Sequence, residues 1–418
     1  MKSGQEAVII IGGGIIGISC AHYLVDAGYK VTVIEQGTIA GACSHGNCGY
    51  ICPSHVLPLT TSDAIWDAAR SLFNSAATFR VKPRFDAAFV SWMWQFVKRC
   101  NQRDMLKAAG HLHAILSSSM AEYHKLLGED EMGSQWRRSG LMYVFQTEVG
   151  LSDFANTDEL LTDQFGVTAR RIESAELPEL DVALRPDLAG AYLYEGDASI
   201  RPDRLSKAWT EKLIRAGVQF VEGCTFLGLE KKTDAVSQII TSHGTMQADH
   251  FVLATGAVSA KLAKHFGTDI PIEPGKGYSI TMEKPQDGPE YPMLLPEHHV
   301  GVTPFDDGLR LGSMMEFVGY DRSIPKSRLQ QLRQSTQLYL QSQLPTTNLE
   351  EWYGWRPMTW DSLPIIGQVP GFANAYLATG HNMLGLTLAP ATGKLISETV
   401  QRQTPHIDPE PFSPDRFR

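Results

Sequence analysis

The chain has 418 residues, of which 43% are hydrophobic and 20% charged, a composition typical of a globular protein with two or three domain-sized units. Its formal net charge is −9 and its isoelectric point is near 5.8, which argues against a nucleic-acid partner because phosphate binding needs a basic face. No apolar run reaches the roughly 18 residues that span a bilayer, so no transmembrane segment is expected. The early apolar stretch is broken by three glycines and does not resemble a signal peptide. We expect a cytoplasmic protein, with peripheral contact at the inner face of the membrane left open.

Residues 7–35 follow the pattern strand, glycine-rich turn, helix, strand. Gly12 allows the tight turn, Gly14 lets the backbone approach a phosphate, and Gly17 lets helix and strand pack closely. The pyrophosphate of a dinucleotide is expected at the N-terminus of this helix. Glu35 follows the second strand, where its carboxylate can accept both ribose hydroxyls, which favours FAD or NAD over NADP. Neighbouring residues expected to contact the same nucleotide are Ile15, Ile16 and Gln36.

Three of the six cysteines, Cys43, Cys48 and Cys52, lie close together after Glu35. Six cysteines in this length do not make a disulfide framework. The spacing fits an iron–sulfur cluster poorly, and it lacks the paired knuckles of a zinc site. We therefore expect no metal, and interpret these cysteines as small residues in a tightly packed loop.

The next elements follow in chain order. Residues 37–59 are small and glycine-rich, and predict a loop that contacts the cofactor. Residues 62–127 are rich in helix formers and aromatic residues, and predict two or three helices. We expect a strand in 139–146 and a strand followed by a short helix in 166–180. A strand, turn, helix and strand are expected in 188–223, with Asp203 opening the helix and Gly217 closing it.

The carboxyl-terminal half begins with hairpin-like strands in 225–256. They end at Thr255 and Gly256, a small-residue turn at the carboxyl end of a strand, where open α/β sheets bind ligands. Residues 271–317 predict further β-structure and residues 325–342 a helix. Residues 352–400 predict a loop, a strand and a terminal helix. His298 and His299 are adjacent on a predicted strand, so at most one of them can reach a pocket, and neither indicates a metal.

This order of elements indicates that a dinucleotide domain is built from separate segments, with a second domain inserted between them. We expect the cofactor domain to comprise residues 1–60, 190–265 and 350–418. The substrate domain would comprise residues 61–189 and 266–349. A nicotinamide-linked dehydrogenase more often keeps its nucleotide domain in one block.

Several motifs resemble those of a known family. They are the GxGxxG turn with Glu35, the ATG strand end, WRPMTWDSLPIIG at 355–367 and ATGHNMLGLTLAPATGKL at 378–395. They resemble the FAD-dependent amine oxidoreductases of the D-amino-acid oxidase superfamily, most of all the bacterial D-amino-acid and D-hydroxyproline dehydrogenases. SHGNCGYICP, VKPRFD and PEPFSPDRF are also similar to segments of those enzymes, so the likeness runs nearly end to end. The resemblance implies an α/β (α+β) fold, with a discontinuous Rossmann-like FAD-binding domain and a substrate domain built on a large mixed β-sheet.

The resemblance also implies which residues approach the flavin ring. They are expected in the segments 44–49 and 380–387, and the residues we single out are Ser44, Asn47, Gly49, Gly380, His381, Leu384, Gly385, Leu386 and Thr387. Some relatives attach flavin covalently, but their histidine would align with Gly46 rather than His45. No cysteine lies near residues 355–360. Non-covalent FAD is therefore expected, with covalent attachment through His45 as the alternative.

Flavin oxidation of an amino acid needs the α-carbon held against the cofactor, and little acid–base machinery from the protein. Arg356 is our candidate clamp for the substrate carboxylate, because a guanidinium gives planar, bidentate recognition. The alternative is a surface arginine paired with Asp361. Tyr278 could donate to the same carboxylate or simply pack in its strand, and Lys276 could be a second cation or solvated.

The remaining candidates lie near the flavin-contacting segments. His381 precedes the last helix, whose N-terminus would stabilise negative charge on the reduced flavin, so the backbone can matter more than the imidazole. Tyr50 and His55 could line the substrate pocket, or pack or face solvent.

We predict a flavoenzyme that oxidises a small amino acid to an imine by hydride transfer from Cα to flavin N5. D-amino acids, or substrates of the D-proline and hydroxyproline type, are favoured, with electrons passing to a quinone or another carrier. The nearest alternative is an oxidase of glycine- or sarcosine-type amines using O2. Alternatives from other classes are an NAD-linked dehydrogenase and a non-catalytic FAD-bound subunit. The sequence predicts no particular oligomeric state.

Overall fold

The computed structural model describes residues 5–61, 77–84, 86–128 and 132–418. The helices are α1 (Ile15–Asp26), α2 (Ala87–Arg99), α3 (Gln102–Leu127), α4 (Glu148–Phe165), α5 (Leu177–Leu180), α6 (Pro202–Arg215), α7 (Ser259–Phe266), α8 (Lys326–Gln337) and α9 (Gly385–Gln401). The first ten strands are β1 (Ala7–Ile11), β2 (Lys30–Ile34), β3 (Tyr50–Ile51), β4 (Phe79–Val81), β5 (Leu141–Phe145), β6 (Arg170–Glu173), β7 (Gly190–Tyr194), β8 (Ala198–Ser199), β9 (Gln219–Val221) and β10 (Phe226–Lys232). The others are β11 (Ala235–Thr241), β12 (Gly244–Met246), β13 (His250–Leu253), β14 (Ile272–Met282), β15 (Met293–Leu295), β16 (Val300–Pro304), β17 (Leu309–Phe317), β18 (Glu350–Thr359), β19 (Ile365–Gln368) and β20 (Ala375–Thr379).

A six-stranded sheet carries the glycine-rich turn. Its order is β19-β20-β13-β1-β2-β9, and all neighbours are parallel except β19 and β20. Apolar strands such as β1 are expected in a parallel sheet that is covered on both faces. The carboxyl ends of β1, β2 and β13 meet at one edge, so the glycine turn, Glu35 and Thr255 are brought together from distant parts of the sequence.

A nine-stranded mixed sheet forms the second layer. Its order is β18-β14-β17-β16-β15-β5-β7-β6, with β4 pairing to β17. The central strand β14 is buried along its whole length between β17 and β18. The two large sheets match the predicted α/β fold with a large mixed sheet, and that prediction is confirmed.

The terminal helix α9 contains Pro390, which cannot donate a backbone hydrogen bond to Leu386. The Tyr123 hydroxyl donates to the Leu386 carbonyl instead, at 2.6 Å, and the Ser119 hydroxyl donates to the carbonyl of Thr387, at 2.5 Å. Both side chains come from α3. The first turn of α9 is therefore held by another helix, which fixes the position of the predicted flavin-contacting segment.

Some predicted elements differ from the observed ones. The segment 352–367 was expected to be a loop, but most of it belongs to β18 and β19, because β18 pairs with β14 over ten residues. The helix expected over 325–342 ends at Gln337. His298 ends a short 3₁₀ turn, and His299 has φ +52°. The strand β16 begins only at Val300. The prediction that both histidines lie on one strand is therefore wrong. Residues 87–127 form the expected helices α2 and α3, whereas 62–76 lie outside the described residues.

The expected domain boundaries stay a prediction. The strands β7 and β18, which fall in the segments expected for the cofactor domain, pair within the nine-stranded sheet. Among the helices that the structure describes, none is both long enough and apolar enough to cross a membrane.

Candidate active site

A cavity of about 750 Å³ is lined by residues of both large sheets and of the loop that follows β2, a volume usual for small-molecule sites. Most of the predicted cofactor residues lie on its wall: Gly12, Gly14, Ile15, Ile16, Glu35, Gln36, Ser44, Asn47, Thr255, Gly256, His381, Leu384, Gly385, Leu386 and Thr387. Gly17, Gly49 and Gly380 are not on the wall. A larger cleft of about 1390 Å³ is open to solvent beside α2 and the carboxyl terminus, and it contains none of these residues.

The glycine turn brings backbone against backbone at the amino end of α1. Gly12 has φ +111°, and a Cβ placed there would lie 2.5 Å from the Ala254 carbonyl oxygen. A Cβ at Gly17 would lie 1.9 Å from the Gly12 carbonyl oxygen. The first turn of α1 has no acidic residue. Its amides therefore offer partial positive charge to an anion, as a pyrophosphate site requires.

Glu35 lies at the end of β2, next to this turn. One carboxylate oxygen accepts from the Gly13 amide at 2.8 Å and the other accepts from the Gly37 amide at 2.9 Å. Each oxygen keeps a further lone pair. The carboxylate is thus fixed on the cavity wall in the place where a ribose would need acceptors.

Arg310 holds the loop between β2 and β3, a role that no sequence motif indicated. Its guanidinium is buried and donates to the carbonyl oxygens of His45 and Asn47, each at 2.9 Å. It also donates to the Thr281 hydroxyl at 3.0 Å and pairs with Glu350 at 3.2 Å. Together with Thr303, which donates to the Cys48 carbonyl at 2.7 Å, this side chain fixes the loop residues that face the cavity.

His45 points out of the cavity wall. Its Nε2 lies 2.6 Å from a Glu350 carboxylate oxygen, and it is not a lining residue. The hydrogen bond to Glu350 raises the pKa of His45, while the same bond lowers the pKa of Glu350. An imidazole engaged in this way is not presented to a ligand in the cavity.

Cys43, Cys48 and Cys52 do line the cavity, although the sequence indicated only packing for them. The Cys43 thiol donates to the Trp355 carbonyl at 2.8 Å, and burial raises its pKa to about 11. No group of side chains able to hold a metal ion occurs among the described residues.

Arg356 lies on β18 with its guanidinium over Gly277 of β14. A Cβ at Gly277 would lie 2.1 Å from the arginine Nη1, so only glycine leaves room for it. Nη1 donates to the Met314 carbonyl at 2.7 Å. In the described part of the chain no carboxylate pairs with Arg356, and Asp361 is instead bound by Arg416 at 2.8 Å. Burial lowers the pKa of Arg356. The surface ion pair considered as its alternative is therefore wrong.

Tyr278 has a different partner from the one expected. Its hydroxyl donates to Glu316 at 2.6 Å, and Glu316 also pairs with Arg328. Side chains alternate along β14, and the next residue, Ser279, donates to the Gly46 carbonyl in the cavity loop at 2.9 Å. The Tyr278 phenol thus projects on the face opposite Ser279, although Tyr278 is among the residues that line the cavity. That it binds the same carboxylate as Arg356 stays a prediction.

Lys276 lies on the same face as Tyr278 and is fully buried. Its ammonium group binds Asp321 at 2.5 Å and the Ser323 carbonyl. Neither expected role, a second substrate cation or a solvated side chain, matches this arrangement.

His381 lines the cavity, and its Nε2 lies 2.9 Å from the Thr392 hydroxyl of α9. Burial lowers the pKa of His381 to about 3, so the imidazole is neutral at physiological pH. The following residues lead into the first turn of α9, which has no acidic side chain. The position of this helix N-terminus supports the backbone role that the sequence indicated.

Tyr50 and His55 both line the cavity. The Tyr50 hydroxyl donates to the Met293 carbonyl at 2.8 Å, and His55 Nδ1 lies 3.4 Å from the Tyr143 hydroxyl. Burial lowers the pKa of His55 and raises that of Tyr50. Of the two adjacent histidines, His299 lines the cavity and His298 does not. Sequence analysis missed several other lining residues, because they come from strands paired over long sequence distances: Met314, Met315, Trp352, Trp355 and Tyr143.

The residues present fit FAD. The glycine turn lets the backbone pack closely at the start of α1, where no acidic residue opposes an anion, and Glu35 supplies ribose acceptors. The cavity then continues past the first turn of α9 to Arg356, long enough to place a ring system between nucleotide and substrate ends.

Comparisons with known proteins agree with this geometry. The family model described as DAO, FAD dependent oxidoreductase, matches residues 7–399. The chain is 28% identical over 414 residues to D-amino acid dehydrogenase 2 of Mesorhizobium japonicum, covering 96% of this chain and 98% of that protein. It is 28% identical over 420 residues to D-amino acid dehydrogenase of Vibrio atlanticus, covering 98% and 99%.

Among solved structures, the fold is similar to glycine oxidase from Geobacillus kaustophilus. The TM-score is 0.77 at 21% identity, covering 98% of each chain. The expectation of FAD as the cofactor is confirmed by the family match over nearly the whole chain. The protein is a member of the DAO family of FAD-dependent oxidoreductases.

Proposed function

We propose that this protein oxidises the Cα–N bond of a small amino acid, of the D-amino acid or D-proline type. The observation that carries the proposal is Arg356, a half-buried guanidinium on the cavity wall with which no described carboxylate pairs. A partly desolvated cation without a paired carboxylate is expected to be matched by an anionic ligand. The similarity to D-amino acid dehydrogenases supports an amino acid as that ligand.

Arg356 would bind the substrate carboxylate with its remaining N–H donors, since Nη1 already donates to Met314. A planar fork over Gly277 restricts the substrate to one orientation and presents Cα–H to the cofactor. FAD, when bound, supplies the acceptor for the hydride of that carbon. The amides at the start of α9 stabilise negative charge at their end of the cavity.

The cavity wall also favours the reactive state of the amine. An ammonium group has no lone pair with which to expel a hydride, so the substrate must react as the neutral amine. Met314, Met315 and Trp352 make the wall apolar near Arg356, and such surroundings lower the pKa of an amine. His381 stays neutral and bound to Thr392, so it orients α9 and does not act as an acid.

Oxidation yields an imine, which water hydrolyses to an oxo acid and ammonia, or which persists if it is cyclic. We propose non-covalent FAD, because His45 is bound to Glu350 outside the cavity wall. We also propose a quinone or another carrier as electron acceptor, as expected for a dehydrogenase.

Anaerobic reduction of the holoenzyme by matched D- and L-amino acids, including the two prolines, tests the proposal. We expect D-enantiomers to bleach the visible absorbance of the flavin much faster than their L-partners. Parallel assays of peroxide release and dye reduction then separate an oxidase from a dehydrogenase, with dye reduction expected to dominate. Failure of every amino acid to reduce the flavin would overturn the proposal.

A further inference from the structure

The outward face of α2 carries a stripe of exposed apolar side chains. Val90, Trp94 and Val97 are 58%, 55% and 43% exposed, and their spacing places them on one side of the helix. Six other large apolar residues are comparably exposed in the described part of the chain, and none of them is aromatic: Val149, Val182, Ile214, Leu227, Leu338 and Leu349. Of the described helices and strands, only α2 carries three of these exposed side chains. We refer to Val90, Trp94 and Val97 as the α2 stripe.

The opposite face of α2 is fully used in the fold. Phe89, Trp92 and Phe96 are buried in an apolar cluster that also contains Phe317. The Trp92 indole donates to the Pro271 carbonyl at 3.1 Å. The helix is therefore anchored by its inner face, and the α2 stripe makes no contribution to the described core.

The charge around the stripe is opposite in sign to that of the whole chain. Residues 82–107 hold six basic and two acidic residues, whereas the chain carries a net charge of −9. Lys98 lies 3.3 Å from the centre of the Trp94 ring. Lys82, Arg103 and Lys107 are exposed nearby in sequence. Arg84 is paired with Glu273 and Arg99 lies over the Trp360 ring, so the exposed basic side chains of this segment are Lys82, Lys98, Arg103 and Lys107.

An exposed tryptophan between two valines, surrounded by lysine and arginine, suits the boundary between lipid headgroups and acyl chains. Basic residues there gain attraction from anionic headgroups. We propose that the α2 stripe docks on an anionic lipid surface, with Val90, Trp94 and Val97 inserted and Lys98 and Arg103 against lipid phosphates. Docking does not depend on the proposed reaction.

The apolar cluster beneath the α2 stripe also forms part of the cavity wall. The apolar cluster beneath α2 includes Met315, and Phe79 packs against it. Both residues also line the cavity. Docking through α2 would thus bring the lipid, in which an apolar electron acceptor dissolves, against the helix that covers this cluster.

Co-sedimentation of the holoenzyme with vesicles tests the docking. We expect binding to phosphatidylcholine vesicles that contain phosphatidylglycerol, weaker binding to phosphatidylcholine alone, and loss of binding at high salt. Trp94→Ser should weaken the partition about tenfold through lost apolar burial. Lys98→Gln and Arg103→Gln should each weaken it about fivefold.

Ile214→Ser is the matched control, because Ile214 is 54% exposed on α6 and belongs to no stripe. It should leave vesicle binding unchanged, and all four variants should keep their flavin content. No binding to phosphatidylglycerol vesicles, or equal losses in Trp94→Ser and Ile214→Ser, would overturn the proposal. So would a dimer in sedimentation velocity that Trp94→Ser converts to monomer, since the stripe would then bind a second copy of the chain.

Discussion

Arg356 was predicted to bind the substrate carboxylate from its residue type and its motif. What leaves its guanidinium free to do so are residues elsewhere in the chain. Gly277 leaves the space in which the guanidinium lies, and Arg416 occupies the carboxylate of Asp361 that could have neutralised it. Neither relation is visible in the sequence, because the partners are far apart along the chain.

Arg356→Lys should lower kcat/KM for the amino acid about a hundredfold or more. Lysine keeps the charge but loses the planar pair of N–H donors that orients a carboxylate. Steady-state kinetics with dye as acceptor measures this, and Arg416→Lys is the control expected to retain kcat/KM. Equal losses in the two variants would contradict the clamp.

Tyr278 shows how little of a side chain's surroundings can be predicted from its position in the sequence. Its position on a strand was predicted correctly, but which face it occupies depends on pairing and on the register of β14 with β17. Its hydroxyl donates to Glu316, which also pairs with Arg328, so we expect it to serve this buried polar cluster and not the substrate.

Tyr278→Phe should therefore destabilise the protein by about 1–3 kcal/mol, since a buried acceptor loses its donor, and change kcat/KM by less than about threefold. Denaturant unfolding and kinetics on the same preparation separate the two effects. A loss of kcat/KM comparable to that of Arg356→Lys would assign Tyr278 to the substrate after all.

The elements that could be predicted best are those whose signal is local. The turn from β1 into α1 and on to β2 follows from glycine spacing and apolar runs within 29 residues. By contrast, the segment of β18 was expected to be a loop, because its tryptophans, glycine and proline follow neither helical nor strand periodicity. It forms a strand because it pairs with β14.

Gly17→Ala tests the close packing of β1 and α1. A Cβ there would meet the Gly12 carbonyl oxygen at 1.9 Å, so the turn must open and FAD binding should fall at least about tenfold. Gly110→Ala, in the middle of α3 with nothing near its Cβ, should leave FAD affinity unchanged and slightly raise stability. Flavin content and a fluorescence titration measure FAD binding in the two variants, and denaturant unfolding measures their stability. Normal FAD affinity in Gly17→Ala would contradict this account of the turn.

The turn between β7 and β8 carries a buried carboxyl, Asp197, bound by the Ser54 amide at 3.0 Å and hydroxyl at 2.5 Å. Burial raises the pKa of Asp197 to about 7 from 3.8. The native state therefore keeps a proton that the unfolded state has lost, and stability falls as pH rises from about 4 to 7, by about 4 kcal/mol in total.

Asp197→Asn should remove this part of the pH dependence, since an amide oxygen still accepts from Ser54 and does not titrate. Urea unfolding at several pH values between 4.5 and 7.5 measures the slope, within the limits of the extrapolation. Asp187→Asn, at an exposed carboxylate paired with Arg185, is the control and should leave the slope unchanged. The same slope in the Asp197 variant and the parent would contradict the assignment.

At the scale of the whole molecule, the cavity joins two sheets that are built from interleaved segments. Its nucleotide end comes from the six-stranded sheet, and Arg356 comes from the nine-stranded sheet. A ligand that contacts both should stabilise both. FAD at a hundred times its dissociation constant should add about 2.7 kcal/mol to unfolding, and near-ultraviolet and far-ultraviolet signals should shift together. A shift in only one signal would mean that unfolding is not all-or-none, and would contradict joint stabilisation of the two sheets.

The central claim is that a carboxylated amine is gripped by Arg356 beside bound FAD. Its most direct test is the anaerobic rate at which D-proline and pyrrolidine, or D-alanine and ethylamine, bleach the flavin of the holoenzyme. The account predicts that each amino acid reduces the flavin at least about a hundredfold faster than the amine lacking the carboxylate. Equal rates within a pair, or a purified protein that is colourless and takes up no added FAD, would contradict it.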